Sequence, residues 1–144
     1  MKCMVLMKAS PSSEAGVIPS ERLLTDMASF NEELMSAGII LSGEGLHPSS
    51  AGIRVHFGAD EPQIEPGPFA ETSELISGFW IWQVSSMDDA IQWAKRIPNT
   101  DGVHRNVELR PLFEAEDFGE EFTPALRQQE DRLRDAIQQQ QQQQ

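Results

Sequence analysis

Residues 76–84, Ile-Ser-Gly-Phe-Trp-Ile-Trp-Gln-Val, carry large apolar side chains on both faces of an extended chain. Side chains alternate along a strand, so Ile76, Trp80, Trp82 and Val84 share one face and Phe79 and Ile81 the other. Residues 2–7 do the same, with Cys3, Val5 and Met7 opposite Met4 and Leu6. A strand of this kind has to be covered on both sides. The chain must therefore supply, or recruit, two layers over one sheet.

The intervening pattern supplies one layer. Ser20 has the character of a helix N-cap, and Leu23, Met27, Phe30 and Leu34 follow at spacings of three and four, which predicts a helix over 20–37 stopped by Gly38. Residues 8–19, rich in Ser, Pro and Gly, read as a loop. A second strand begins at Ile39 and runs into the turn Gly43-Glu44-Gly45. Ile53, Val55 and Phe57 alternate with Arg54 and His56, giving a strand with one wet face that pairs with the run around Ile64 as a hairpin. Ser86 and Asp89 fit a capping box, Met87, Ala90, Ile91, Ala94 and Ile97 form an apolar stripe, and Lys95, Arg96 and Pro98 close the helix. Residues 106–112 return as a strand with Val107 and Leu109 inward.

The order is β-α-β, a hairpin insertion, then β-α-β, the ferredoxin-like split βαβ arrangement of the α+β class. Its first and third main strands are central, and these are the two that are apolar on both faces. Two helices cover one face of such a sheet. A second copy of the same sheet is the simplest cover for the other, giving a homodimeric α+β barrel. One domain is expected over residues 1–118. Residues 119–144 are expected to be an acidic, helical tail ending in a polyglutamine run, which has no apolar face to bury and reads as frayed.

Composition excludes some roles. A net charge of −12 opposes binding to nucleic acid and to anionic membranes, both of which select clustered Lys and Arg. The apolar start is too short for a secretion signal, and no run spans a bilayer. One cysteine provides no disulfide framework and fits a reducing, cytoplasmic setting. The histidines, His47, His56 and His104, have no ligand spacing, so neither a metal nor another cofactor is expected.

Several segments together carry a resemblance. They are the opening Met-Lys-x-Met-x-Leu, Gly43-Glu44-Gly45-Leu46-His47-Pro48-Ser49, Gly67 to Leu75 followed by Gly78-Phe79-Trp80, and Val107-Glu108-Leu109-Arg110-Pro111 with Phe113-Glu114. Over residues 1–118 the chain resembles the YCII-related proteins, in their DGPF branch. The resemblance implies a dimeric α+β barrel with a cavity in each protomer near the dimer seam. Two departures stand out. Pro66 occupies the position of the branch's aspartate. Shorter relatives are proposed to use a His–Asp pair with the histidine on the first helix; here that helix has none, and Met27 stands about where it would be.

The candidate site follows from strand order. His47 leaves the second main strand and Glu71 and Thr72 precede the third, so antiparallel pairing brings these ends together. His47 and Glu71 are the candidate proton-handling, catalytic residues. Glu44, Phe69, Thr72, Trp80 and Arg110 are the candidate ligand contacts, with Arg110 suited to a carboxylate if its face is the barrel interior. Each has a plainer reading: a turn histidine, a turn carboxylate, core tryptophan, or a salt bridge from Glu108 and Arg110 on a wet strand. Two functions stay open. One is a small-molecule-binding homodimer performing cofactor-independent proton transfer or isomerisation on a small organic compound. The other is a non-catalytic interaction or regulatory partner, such as an accessory to a bacterial transcription factor, which some family members resemble.

Overall fold

The computed structural model describes residues 1–70 and 73–143. They form two compact units, Met1–Leu112 and Phe113–Gln144. In the first the order is β1 (Lys2–Lys8), α1 (Pro11–Glu14), α2 (Glu21–Ser36), β2 (Ile40–Gly45), β3 (Ile53–His56), β4 (Gln63–Pro66), β5 (Ile76–Gln83), α3 (Met87–Ala94) and β6 (Val107–Pro111). An antiparallel sheet has the order β2-β5-β1-β6, and β3 and β4 form a separate two-stranded sheet. This is the ferredoxin-like arrangement with a hairpin insertion, and the doubly apolar strands β1 and β5 are its centre.

Register assigns the faces. Cys3 opposes Trp82 and Val5 opposes Trp80, and these four are buried with Phe30 and Leu34 of α2 and Ala90 of α3. Val107 and Leu109 pack against the same core, as expected. The second face carries Met4 beside Ile81 and Leu6 beside Phe79 on the central strands. Arg110 and Glu108 flank them on β6, and Ser42 and Glu44 on β2. The four apolar side chains of this second face are only half-buried.

Local chemistry explains the helices. Ser20 caps α2 by accepting the Leu23 N–H at 3.1 Å, and Gly38 follows its end with φ of +72°. Ser86 caps α3 by accepting the Asp89 N–H, but Asp89 returns its carboxylate to Ser85, not to the cap residue, so the expected box is shifted by one. The helix ends at Ala94, ahead of Lys95 and Arg96. Arg96 instead pairs with Glu33 of α2 and lies over the Trp93 ring, tying the two helices together.

Residues 8–19 hold a helical turn that the loop reading missed. Ser10 and Ser13 cap each other reciprocally around Pro11. The turn delivers Glu14, whose carboxylate accepts the Ser49 N–H at 3.0 Å and the Ser49 hydroxyl at 2.5 Å. Ser49 Oγ in turn accepts the Phe69 N–H at 3.0 Å. Gly67 sits so close that a Cβ there would lie 1.7 Å from the Ser49 carbonyl oxygen. Arg54, expected to be solvated, has its guanidinium 3.9 Å from the Phe69 ring centroid, and His56 meets Glu65 at 2.8 Å. The wet face of the hairpin is thus packed at Arg54, while His56 stays exposed as expected. The hairpin's apolar face is open, with Phe57 83% and Ile64 70% exposed.

In the second unit, Phe113, Phe118 and Phe122 stack in series, and Arg127 lies over Phe122 while donating to the carbonyls of Phe122 and Ala115. Helix α4 (Pro124–Gln142) is capped by Thr123. It runs through most of the polyglutamine, where fraying was expected, because glutamine is a good helix former once a helix is nucleated. Its stripe of Leu126, Leu133 and Ile137 stays exposed.

Two outcomes follow. Gly67→Ala should lower stability by about 1–3 kcal/mol, since backbone would have to move, while Gly45→Ala, with nothing near its Cβ, should be close to neutral; urea midpoints of the two variants make the comparison. Burial pushes the Cys3 thiol up, only partly opposed by a backbone hydrogen bond from Arg110. A proton held more tightly in the folded state contributes stability below the ordinary thiol range, about 8.5, and that contribution is lost as pH rises through the folded value. Cys3→Ala should flatten this alkaline loss in pH-dependent unfolding, and the native thiol should resist disulfide-exchange reagents until the protein unfolds.

Candidate functional site

A cavity of about 630 Å³ lies under α2, on the helix-covered side of the sheet. Its floor is made of small residues for a reason. Gly43 opposes Trp80 and Gly45 opposes Gly78. A Cβ on Gly43 would lie 2.5 Å from the Trp80 ring, so the indole can lie across β2 only because that position is glycine. The Trp80 Nε1–H then reaches Asn31 Oδ1 on α2 at 3.0 Å, and the ring meets Phe30 edge-on at 6.0 Å. Gly45 has open space where its side chain would be. Leu23, Leu24 and Met27 of α2 form the opposite wall, and Val17, Ile18 and Leu46 border it as exposed apolar residues. Met27 contributes a thioether and no titratable proton to this wall.

The strand ends gather the polar groups. Gly45, Gly78, Met7 and Val107 stand in one row across the four strands. His47 lies two residues past that row, beyond the end of β2, and Arg105 two residues before it, ahead of β6; both line the cavity. His47 is exposed, and among the described residues its ring makes no hydrogen bond, unlike a turn histidine tied to a carbonyl. Arg105 Nη2 donates to both Asp101 oxygens at 2.7 Å, while its Nε is buried with no partner among the described residues. Burial acts to raise the Asp101 carboxyl, but hydrogen bonds from Arg105 and the Val103 N–H, together with the arginine charge, hold it below the usual carboxylate value.

Of the residues singled out from sequence, the cavity brings together His47, Trp80 and Glu44. Register puts the Glu44 side chain in the row of Phe79 and Leu6, on the open face. Phe69 does not line the cavity; its backbone and ring serve the Ser49 and Arg54 contacts. Arg110 is on the open face at the far end of β6, with its side chain 71% exposed and bonded to Glu108 at 3.2 Å. Glu71 and Thr72 lie outside the described residues. Arg105 was missed, although the rule that found His47, strand ends meeting across antiparallel pairs, applies equally to the start of β6.

Such an arrangement can enclose an apolar body, present an imidazole at its edge and offer one guanidinium. Among the described residues no group of three or more His, Cys, Asp and Glu could hold a metal ion, and no helix is long and apolar enough to cross a membrane.

Residues 1–113 match the YCII-related domain. An uncharacterised protein of Rhizobium meliloti (strain 1021) is 30% identical over 92 residues, 64% of this chain and 74% of the relative. A solved structure, 5-chloro-2-hydroxyhydroquinone dehydrochlorinase from Burkholderia phenoliruptrix AC1100 in complex with 2,5-dihydroxybenzoquinone, is similar at a TM-score of 0.47 and 15% identity, covering 81% of this chain and 98% of that one. A likeness that distant says nothing about this chain's ligand. The family match spans most of the chain, and the chain belongs to the YCII-related family.

Proposed function

We propose that the unit Met1–Leu112 binds a small organic molecule in the cavity under α2 and moves a proton on it without a cofactor, with His47 as the proton-handling group. The observation that carries this reading is an imidazole, without a hydrogen bond among the described residues, standing at the edge of a largely apolar cavity. Apolar walls strip water from a bound body, and a free ring nitrogen within reach can take or give a proton. Glu71 and Thr72, a few residues ahead of β5 in sequence, are proposed as its polar partners. We place the reaction in the proton-transfer or isomerisation class because no described residue of the lining offers a nucleophile with an adjacent base.

We further infer a homodimer through the open face. Met4, Leu6, Phe79 and Ile81 form an apolar centre there, flanked by Glu44 and by the Glu108–Arg110 pair, a pattern suited to self-complementary packing. The second functional reading, an interaction partner of another protein, draws on the hairpin, where Ile53, Val55, Phe57 and Ile64 are all exposed.

A small-molecule thermal-shift screen of the full chain should yield ligands that raise the unfolding temperature. In His47→Ala and Glu71→Gln, binding of those ligands should fall by about 1–3 kcal/mol per lost polar contact with unfolding of the free protein unchanged. Unaltered binding in both variants would place the site elsewhere, and a screen without hits would favour the interaction reading. Sedimentation equilibrium should give a dimer at micromolar concentration, and Ile81→Glu, on the open face, should dissociate it. A stable wild-type monomer would remove the barrel.

A further inference from the structure

We propose that Arg105 is the anion-binding residue of the cavity, and that the ligand it selects is an organic monocarboxylate with a bulky apolar body. This rests on the reading of the cavity as a ligand site. Arg105 is the only Lys or Arg among the described lining residues. Its side chain is 18% exposed, so the guanidinium is largely out of water. Asp101 engages Nη2 alone, and Nε is buried without an acceptor among the described residues. A buried guanidinium donor left unpaired is unfavourable, and a carboxylate oxygen arriving in the cavity is the strongest acceptor for it. A link that merely closed the loop from Asp101 to Arg105 would leave no reason for Arg105 to reach the cavity lining.

The ligand class follows from what surrounds the charge. Asp101 already neutralises part of the guanidinium, which leaves the site less positive charge than a phosphate dianion would call for. A monocarboxylate matches a single partly compensated cation. The remaining walls, Leu23, Leu24, Met27 and Trp80, take an apolar body.

The test uses the full chain and two probes, naphthoate and its uncharged amide, naphthamide, titrated by calorimetry into wild type, Arg105→Met, Arg105→Lys and Gly45→Leu. Wild type should bind naphthoate about tenfold or more tightly than naphthamide, as one charge-assisted contact implies. Arg105→Met should abolish that preference and leave naphthamide binding unchanged. Gly45→Leu, which fills the open space beside Gly78, should weaken both probes. Should Arg105→Met fail to fold, Arg105→Lys must still lower naphthoate affinity at least threefold with naphthamide unaffected. Equal binding of both probes to wild type, or a preference that survives loss of Arg105, overturns the anion role while leaving the cavity as a ligand site. Failure of both probes to bind wild type overturns the anion role and the cavity reading together.

Discussion

Burial of Trp80 and Trp82 against one face of β1 is the interaction on which the rest of the fold depends. Each indole can remove roughly 150–250 Å² from water, worth about 4–6 kcal/mol as an upper bound. Both rings are almost fully enclosed, between Cys3 and Val5 below and Phe30 and Leu34 above. That packing dictates neighbouring residues. A ring as wide as Trp80 overlaps β2, so Gly43 must have no side chain there. The close approach of β2 to β5 imposes the same condition on Gly78, whose Cβ would meet the Glu44 carbonyl at 2.9 Å. A tryptophan core next to a run of glycines leaves space that no side chain fills, and the cavity is that space.

The same strands explain the face left open. β1 and β5 are apolar on both sides, and α2 and α3 cover one. Met4, Leu6, Phe79 and Ile81 remain half-buried in the single chain. The hairpin repeats the pattern on a smaller scale, with Arg54 packed on Phe69 and the isoleucine and valine side chains facing outward. Cation–π packing over a half-buried ring can outweigh the placement of a few aliphatic side chains, which is why alternation alone misassigned that face.

Much of this was legible in the sequence. Period-two and period-three-to-four patterns located the four main strands and the two helices that cover them, and strand order followed because the split βαβ arrangement puts the doubly apolar strands in the middle. The place of His47 at the cavity edge was legible because it follows the end of a strand. What was not legible depended on contacts distant in sequence. Phe69 sits in a polar-looking turn, yet the turn is held by Ser49 and Glu14 through hydrogen bonds that no spacing announces. Arg110 was chosen for its charge and its strand, but strand direction places it at the end opposite His47, and alternation places it on the opposite face. Arg105 lies in an irregular segment with no period to read, and only the register of β6 against β1 shows which end of the sheet it joins.

An arginine in so acidic a chain need not be overwhelmed by the surrounding charge. At physiological salt, exposed charges beyond about 8 Å are largely screened. Two unit charges 4 Å apart in a partly buried setting interact by about 4 kcal/mol before desolvation costs. The near partner therefore decides the local field, and for Arg105 that partner is Asp101. The acidic surface acts instead on approach, repelling dianions and polyanions more strongly than a single carboxylate. Net charge and the cavity arginine thus act in the same direction, favouring one negative charge over two.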